Sequence, residues 1–257
     1  MKIFIVNLDK DVVRREHILQ QCRNLNLDAE IVSATDGRLL TADETAALTH
    51  PLYASGMTPG EIGCSLSHYY IYKKIADENI PCALILEDDV ELTAALPEVL
   101  AWYEASPGRR PEVVLLSETN KHHRRRSGVI SKSHSVVKVT EAVFTHSYII
   151  NHRAAVSLAE FLFPIWLEAD RWTLLREYGV IQLKAVVPPV GLHSELSTTS
   201  TIWFSEEEVS RRREVEANRA GVIRLIKKHR PFMVKLRNTL WRIFVRKFLS
   251  IEQARAQ

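Results

Sequence analysis

The sequence predicts an α/β fold in which a mostly parallel central sheet is flanked by helices and followed by a helical C-terminal appendage. Three observations support this prediction. Two short apolar runs, 2–6 and 29–33, enclose an amphipathic segment, which is the pattern of a β-α-β unit. A third apolar run, 83–86, leads directly into three acidic residues. From residue 206 onward the composition becomes strongly charged and helix-like.

The length and composition are those of an ordinary globular protein. The chain has 257 residues, 46% hydrophobic and 25% charged, with a net charge of +3. This suffices for one large α/β domain, or one domain with an appendage. Three cysteines without metal-site spacing suit a reducing compartment. The N-terminal apolar run is too short for a signal peptide and no run reaches ~18 apolar residues, so we expect a cytoplasmic protein.

The opening β-α-β unit places two arginines near the end of its first strand. A helix is predicted from about residue 11 to 25, between the strands 2–6 and 29–33. Arg14 and Arg15 fall in the first turn of this helix. They belong either to a solvated helix face or to a contact with a nucleotide diphosphate.

A turn follows the second strand at 34–37, Ala-Thr-Asp-Gly. Gly37 suits a backbone position that needs a positive φ angle. Asp36 either accepts hydrogen bonds from a ribose or base, or forms an Asx-turn.

The next helix is predicted to begin near Thr58 or Gly60, with Pro59 tolerated at its start. Gly63 and Ser67 are four residues apart, so one small-residue face could let a ligand or the sheet approach closely. His68 is either a structural histidine or a donor toward an anionic ligand.

The acidic residues Glu87, Asp88 and Asp89 follow the buried run 83–86 directly. In open α/β sheets the ligand site lies beyond the carboxyl ends of the strands. Three adjacent carboxylates repel one another unless something positive lies between them. Mg²⁺ or Mn²⁺ takes oxygen ligands and leaves positions open for phosphate oxygens, so we expect a metal site here. The alternative is a solvated acidic turn.

The second half of the chain continues the alternation of strands and helices. Strands are predicted over 113–116, 135–139, 142–150 and 180–187, and 121–132 is predicted to be a basic loop, either solvated or a flap over an anionic group.

Candidate catalytic and metal-binding residues also occur in this half of the chain. Asp170 is expected at the start of a helix, where it either caps the helix or acts as a general base on an acceptor hydroxyl. Glu118 and Glu168 are the reserve candidates for that base. His193 lies in a polar loop after the last predicted strand, where a lone histidine is usually just solvated.

The C-terminal region is predicted to be a basic amphipathic helix. No acidic residue occurs between Glu216 and Glu252, while lysines and arginines alternate with apolar residues such as Trp241, Phe244 and Phe248. Such a helix can lie in an anionic lipid interface, so we expect attachment to the inner face of the cytoplasmic membrane. The alternative is packing on the domain or on a partner. Apolar residues outnumber what a nucleic-acid footprint needs, so we expect no nucleic acid.

Several motifs together resemble glycosyltransferase family 25. The sequence Gly-Glu-Ile-Gly-Cys-Ser-Leu-Ser-His at 60–68 and Leu-Ile-Leu-Glu-Asp-Asp-Val at 84–90 are long and specific. The opening Ile-Val-Asn-Leu at 5–8, the turn at 34–37 and Thr-His-Ser-Tyr-Ile-Ile at 145–150 also agree. The resemblance runs from the first strand to about residue 200.

The resemblance implies a GT-A fold, which is Rossmann-like, and an inverting transfer of galactose or glucose from a UDP-sugar. Its implied acceptor is a glycolipid or oligosaccharide of lipopolysaccharide or lipooligosaccharide biosynthesis. Glu87, Asp88 and Asp89 stand where such enzymes carry an Asp-x-Asp metal motif, with Glu in place of the first Asp. The resemblance places His193 as a late metal ligand and supports Asp170 as the base. The implied donor-binding residues are Asn7, Leu8, Arg14, Asp36, Gly37, Ser67, His68, Glu87 and Asp88.

The sequence therefore predicts a GT-A domain over 1–205 and a basic helical region over 206–257. Two other functions remain open: a catalytically silent binding protein of the same fold, and a nucleic-acid-binding protein that uses the basic tail.

Overall fold

The structure, a computed structural model, describes residues 1–194 and 206–253. Its centre is a nine-stranded sheet, and a two-stranded sheet lies beside it. The strands are β1 (Lys2–Asn7), β2 (Glu30–Ser33), β3 (Cys82–Glu87), β4 (Val90–Leu92), β5 (Glu112–Leu115), β6 (Lys121–Val129), β7 (Ser135–Glu141), β8 (Ser147–Asn151), β9 (Gln182–Val187), β10 (Gly191–His193) and β11 (Ile251–Gln253). The helices are α1 (Val12–Asn24), α2 (Ala42–Leu48), α3 (Pro59–Asp77), α4 (Leu96–Ala105), α5 (His152–Leu162), α6 (Trp172–Tyr178), α7 (Glu206–His229) and α8 (Phe232–Leu240).

The large sheet has the order β11-β6-β7-β9-β5-β8-β3-β1-β2. The strands β1, β2, β3, β5, β6 and β9 run in one direction, and β7, β8 and β11 run in the other. The predicted fold class, α/β with a mostly parallel central sheet and flanking helices, is confirmed. Because β8 is inserted antiparallel between β3 and β5, its first residues meet the carboxyl end of β3.

Alternate residues of the central strands face two helical layers, as a buried α/β sheet requires. On one side Phe4 and Ile85 join a core cluster with residues of α3 and α5. On the other side Ile5 and Leu84 join a second cluster with residues of α1 and α4. The central strands are therefore buried on both faces up to the edge where the polar residues emerge.

Two sequence predictions of local structure are wrong. The basic segment 121–132 is mostly strand β6, because it pairs with β7 on one side, with register shifts, and with β11 at Lys121–His123 on the other. The run 142–150 is not one strand, because β8 begins at Ser147 and the residues before it form a loop. Phe144 in this loop has a φ angle of 73°, which a bulky residue rarely adopts.

The C-terminal region packs on the rest of the described chain. Val222 and Ile226 of α7 are buried in the first core cluster. Arg219 of α7 donates to both carboxylate oxygens of Glu61, at 2.8 and 2.7 Å. Beyond Pro231 the chain does not form one long helix: α8 has nine residues, and strand β11 follows after two further turns. Within the described residues, no helix combines the length and the apolar composition needed to cross a membrane.

Candidate active site

A cleft opens at the carboxyl ends of β1, β2 and β3. The first turns of α1 and α3 form its walls. Helix α1 begins shortly after the end of β1, and α3 begins after the loop that precedes Pro59. We call it the first cleft. It is lined by Val6, Leu8, Asp11, Arg14, Ala34, Thr35, Asp36, Gly37, Arg38, Gly60, Cys64, Ser67, His68, Glu87, Asp88 and Asp89.

The wall between β2 and α3 depends on two glycines in close contact. A Cβ atom on Gly37 would lie 1.8 Å from the carbonyl oxygen of Pro59, and one on Gly63 would lie 2.4 Å from that of Thr35. The expectation of a positive φ at Gly37 is wrong, because close backbone approach is what requires this glycine. The face of α3 that carries Gly63 and Ser67 thus packs closely against the loop after β2. The Ser67 hydroxyl accepts a hydrogen bond from the Thr35 N–H of that loop at 2.9 Å.

Arg14 separates two of the three acidic side chains. Its Nη1 atom lies 3.1 Å from Asp88 Oδ1, and its Nη2 atom lies 2.7 Å from Asp89 Oδ2. Asn7 also donates to Asp88, at 2.7 Å, and accepts from Arg15 Nε at 2.8 Å. Arg14 therefore contacts the acidic triplet directly, and Arg15 contacts it through Asn7. Neither arginine is simply a solvated side chain.

Glu87 is oriented by a buried hydrogen-bond chain. His68 Nε2 lies 3.3 Å from Glu87 Oε1, and His68 Nδ1 lies 2.7 Å from the Tyr148 hydroxyl, which contacts the Tyr72 hydroxyl at 2.8 Å. The Thr145 hydroxyl donates to the same Oε1 atom. Because both ring nitrogens of His68 are engaged inside the protein, this histidine positions Glu87 and does not reach into the cleft as a free donor.

Glu87, Asp89 and His146 form a group that could hold a metal ion, since one ligand atom of each lies within 4.8 Å of the others. Asp89 Oδ1 and His146 Nδ1 are buried and have no hydrogen-bond partner among the described residues. Unpaired buried polar atoms are costly unless a ligand satisfies them. Two carboxylates and an imidazole are a donor set that suits Mn²⁺, so the residues present fit a divalent cation.

His193, which the sequence analysis expected in the metal shell, lies one step farther out. Its ring packs edge-on against the His146 ring, with 4.2 Å between the centroids. The sequence does not predict His146 as a ligand, although it lies in the motif Thr-His-Ser-Tyr-Ile-Ile at 145–150. An antiparallel direction of β8 is what brings His146, the residue before β8, to the end of β3. A prediction of that direction would have pointed to His146 as a ligand. The Glu87 N–H indeed donates to the His146 carbonyl oxygen at 2.8 Å.

Burial and mutual repulsion set the electrostatics of the acidic triplet. Burial raises the pKa of Asp88 to about 6, although Arg14 and Asn7 oppose this effect. Burial and the charge of Glu87 raise the pKa of Asp89. Burial alone would raise the pKa of Glu87, but the hydrogen bond from His68 and the proximity of His146 outweigh it and lower that pKa. The site therefore concentrates negative charge that the nearby cations only partly neutralise.

Asp36, a further acidic residue of the first cleft, is held in place by its neighbours. Arg38 Nε donates to Asp36 Oδ1 at 2.7 Å, and Lys10 Nζ lies 2.9 Å from Asp36 Oδ2. The hydrogen bond from Arg38 is the main cause that holds the pKa of Asp36 well below its usual range. The carboxylate stays ionised, and a ribose or base would have to share it with two cations.

A second cleft lies beside the first, between the loop before α6 and the inner face of α7. Asp170, Glu168 and Arg171 contribute its polar wall, and Tyr53 and Trp166 its aromatic wall. The α6 helix begins after Arg171, so the prediction that Asp170 is its N-cap is wrong. The carboxylate of Asp170 lies in the lining of the second cleft instead.

Asp170 and Glu168 differ in their environment. Arg171 donates to both oxygens of Glu168, and this hydrogen bond lowers the pKa of Glu168 against the effect of burial. For Asp170 burial dominates and raises the pKa, although the charge of Arg171 and a hydrogen bond from the Phe144 N–H oppose it. A carboxylate with a raised pKa is the better proton acceptor, so Asp170 suits general-base chemistry better than Glu168.

One loop connects the two clefts. Phe144 donates through its backbone to Asp170, Thr145 donates to Glu87, and the His146 ring lies 4.0 Å from Asp89. The strained φ of Phe144 turns the chain so that consecutive residues reach both clefts. The charge of Asp170 also reaches Cys64 in the first cleft, where it adds to burial and the charge of Glu87 in raising the thiol pKa. The serine and threonine residues at 197–200 lie outside the described residues.

A family model described as glycosyltransferase family 25 (LPS biosynthesis protein) matches residues 1–173. The chain belongs to this family. The resemblance found in the sequence is therefore confirmed. The matched range includes every residue that lines the first cleft, and Glu168, Asp170 and Arg171 of the second cleft.

Relatives and solved structures give the range of proteins that this chain resembles. Procollagen galactosyltransferase 1 of Danio rerio is 26% identical over 168 residues, which are 61% of this chain and 28% of the relative. A glycosyltransferase 25 family member of Aedes aegypti is 38% identical over 96 residues, 34% of this chain and 16% of the relative. The chain thus spans less than a third of these relatives. The crystal structure of a glycosyltransferase involved in the glycosylation of the major capsid of PBCV-1 shares 12% identity and a TM-score of 0.34, covering 84% of this chain and 98% of that chain.

Proposed function

We propose that this chain is an inverting glycosyltransferase that moves a hexose, galactose or glucose, from a UDP-sugar to a saccharide acceptor in lipopolysaccharide or lipooligosaccharide biosynthesis. The observation that carries the proposal is the group formed by the half-buried Glu87 and the buried Asp89 and His146 at the carboxyl end of β3. Family membership supports a nucleotide-sugar donor and a saccharide acceptor.

The first cleft is the proposed donor site. Glu87, Asp89 and His146 would hold Mn²⁺ or Mg²⁺, with His193 behind them, and the ion would neutralise the diphosphate as it leaves. Arg14 can shift between its two carboxylates and a phosphate oxygen. Leu8 and Asp36 are half-buried and are available to the nucleoside. Gly37 keeps the wall in position through its close backbone contact, and Asn7, Ser67, His68 and Asp88 do so through the hydrogen bonds already described.

The second cleft is the proposed acceptor site. Tyr53 and Trp166 offer flat apolar faces with a polar edge, the kind of surface on which a sugar ring packs. Asp170 accepts the proton of the acceptor hydroxyl as that oxygen attacks the anomeric carbon. The attack comes from the side opposite the leaving diphosphate, so a single displacement inverts the anomeric centre.

The C-terminal surface supports a peripheral location on the inner face of the cytoplasmic membrane. Phe232, Met233, Phe244 and Phe248 are each more than 60% exposed, and lysines and arginines lie between them. Exposed aromatic residues within a basic surface match the chemistry of an anionic lipid interface. Phe244→Ser together with Phe248→Ser is expected to abolish flotation with phosphatidylglycerol vesicles while donor hydrolysis is kept. Vesicle binding that survives this pair of changes contradicts the proposed location.

The test of the enzymatic proposal is a panel of nucleotide sugars, with UDP-galactose and UDP-glucose included, measured with and without Mn²⁺. Thermal stabilisation and slow nucleotide release are the two measurements. Asp89→Asn should lose both, whereas Asp28→Asn, an exposed aspartate with the same charge change, should keep both. Donor binding without any turnover would identify a silent binding protein, and salt-sensitive binding of nucleic acid without donor binding would identify a nucleic-acid-binding protein.

A further inference from the structure

A cavity of about 540 Å³ lies between α6, the end of α7, α8 and the start of β6. We call it the basic cavity, because seven lysine and arginine side chains line it against two glutamates. Its volume falls in the range of small-molecule sites.

The two glutamates are already paired. Lys121 Nζ lies 2.6 Å from Glu141 Oε2, and Arg230 Nη1 lies 2.8 Å from Glu177 Oε2. The remaining five cations of the lining have no carboxylate partner among the described side chains. They are Arg176, Lys227, Lys235, Arg242 and Arg246. Their charges repel one another, so an anion that enters the cavity gains their combined attraction.

Arg176 is the most enclosed of these cations. Its guanidinium carbon lies 5.2 Å from the centre of the Trp241 ring, and its Nε atom is buried without a hydrogen-bond partner among the described residues. Burial lowers its pKa, the charge of Glu177 opposes this effect, and the charge of Arg237 adds to it. Because an arginine cannot lose its proton under ordinary conditions, the cavity stays positive and its donors stay available.

The basic cavity is continuous with the second cleft. Glu141, Thr173, Glu177, Lys227 and Arg230 line both. A ligand whose hydroxyl lies near Asp170 can therefore extend along α7 into the cationic region. Tetrahedral phosphate, with several acceptor oxygens, is the anion that several converging guanidinium and ammonium groups bind best.

We propose that the acceptor is a phosphorylated saccharide, whose phosphate binds in the basic cavity while its reacting hydroxyl lies at Asp170. This inference rests on the proposed function, because it takes the second cleft as the acceptor site. It adds the chemical class of the acceptor, and it makes Arg176, Arg242 and Arg246 residues that determine acceptor specificity.

The test measures binding of glucose 6-phosphate, glucose and inorganic phosphate by calorimetry at constant ionic strength. The wild-type chain should bind glucose 6-phosphate more tightly than inorganic phosphate, and glucose alone least. Arg242→Gln with Arg246→Gln should weaken binding of glucose 6-phosphate about tenfold or more, because charge-assisted hydrogen bonds are lost. Arg242 and Arg246 are both exposed, so the fold should persist in this variant. The melting temperature checks that it does. Arg109→Gln with Arg153→Gln, exposed and outside the cavity, is the matched control and should change binding less than twofold.

The outcomes separate this inference from the proposed function. Equal binding by both double variants, or no binding of glucose 6-phosphate by the wild-type chain, overturns the inference even if UDP-sugar turnover is present. If glucose 6-phosphate binds but no nucleotide sugar does, the proposed function fails and the acceptor role fails with it. Phosphatidic acid vesicles distinguish the source of the phosphate. If Arg242→Gln with Arg246→Gln abolishes vesicle binding but leaves binding of glucose 6-phosphate unchanged, these arginines take a lipid headgroup and the acceptor assignment is wrong.

Discussion

Helix α7 is expected to be part of the folded core, and its removal should be a severe perturbation. Val222 and Ile226 are 8% and 6% exposed and belong to the cluster beneath the sheet. Changing both to alanine removes five carbon atoms, and at about 0.8 kcal/mol for each buried carbon the transfer loss is about 4 kcal/mol before any cavity penalty. That is a large part of the roughly 5–15 kcal/mol that keeps a domain folded.

Urea unfolding followed by circular dichroism measures this loss. Leu240→Ala, which is 45% exposed in the same C-terminal region, is the control and should cost less than about 1 kcal/mol. A chain that ends at residue 205 should then fail to give a cooperative transition. If the double variant loses less than about 1 kcal/mol, or the shortened chain unfolds cooperatively at the wild-type midpoint, α7 is a detachable appendage and the reasoning from burial is wrong.

Three further predictions concern the clefts. His146→Ala should weaken Mn²⁺ binding, measured by electron paramagnetic resonance, by about ten- to a hundredfold or more, and unchanged affinity would remove this residue from the proposed metal shell. Asp170→Asn should lower kcat by about 10²–10⁴ with little change in donor affinity, and a loss of donor binding with turnover kept would make Asp170 a binding residue. Gly63→Ala should lower the free energy of unfolding by about 1–3 kcal/mol, since its Cβ would meet the Thr35 carbonyl oxygen at 2.4 Å, and an unchanged urea midpoint would show that the loop yields freely.

The sequence was sufficient for the features that depend on neighbouring residues. The β-α-β opening and the acidic triplet after a buried run follow from hydrophobic pattern alone, and both are present. The motifs at 60–68 and 84–90 are long enough to identify the family from the sequence, and the family model confirms it. The capping box of Thr58 and Glu61, with Pro59 at the first position of α3, shows that the helix start was encoded locally.

The features that the sequence did not reveal depend on long-range pairing. A β-α-β opening predicts parallel strands, and a parallel β8 would not bring His146 to the end of β3. The contact between His146 and the end of β3 therefore could not be predicted from the sequence. The basic residues of β6 have no apolar alternation, so they form a strand only through pairing with β7 and, at Lys121–His123, with β11. The φ angle of Phe144 has no local signal, because tertiary contacts impose a conformation that the residue itself disfavours.

The position of β6 near the end of the sheet has a consequence for self-association in concentrated solution. β11 pairs only with Lys121–His123, and the Arg124 N–H donates to the Ser250 carbonyl oxygen. Unpaired backbone along the outer side of a strand is a template for another chain to add to. The three consecutive arginines 124–126 lie on this stretch and are exposed, so a second molecule that approached would bring like charges into contact. Neutralising these arginines should therefore promote aggregation even though no core contact is lost.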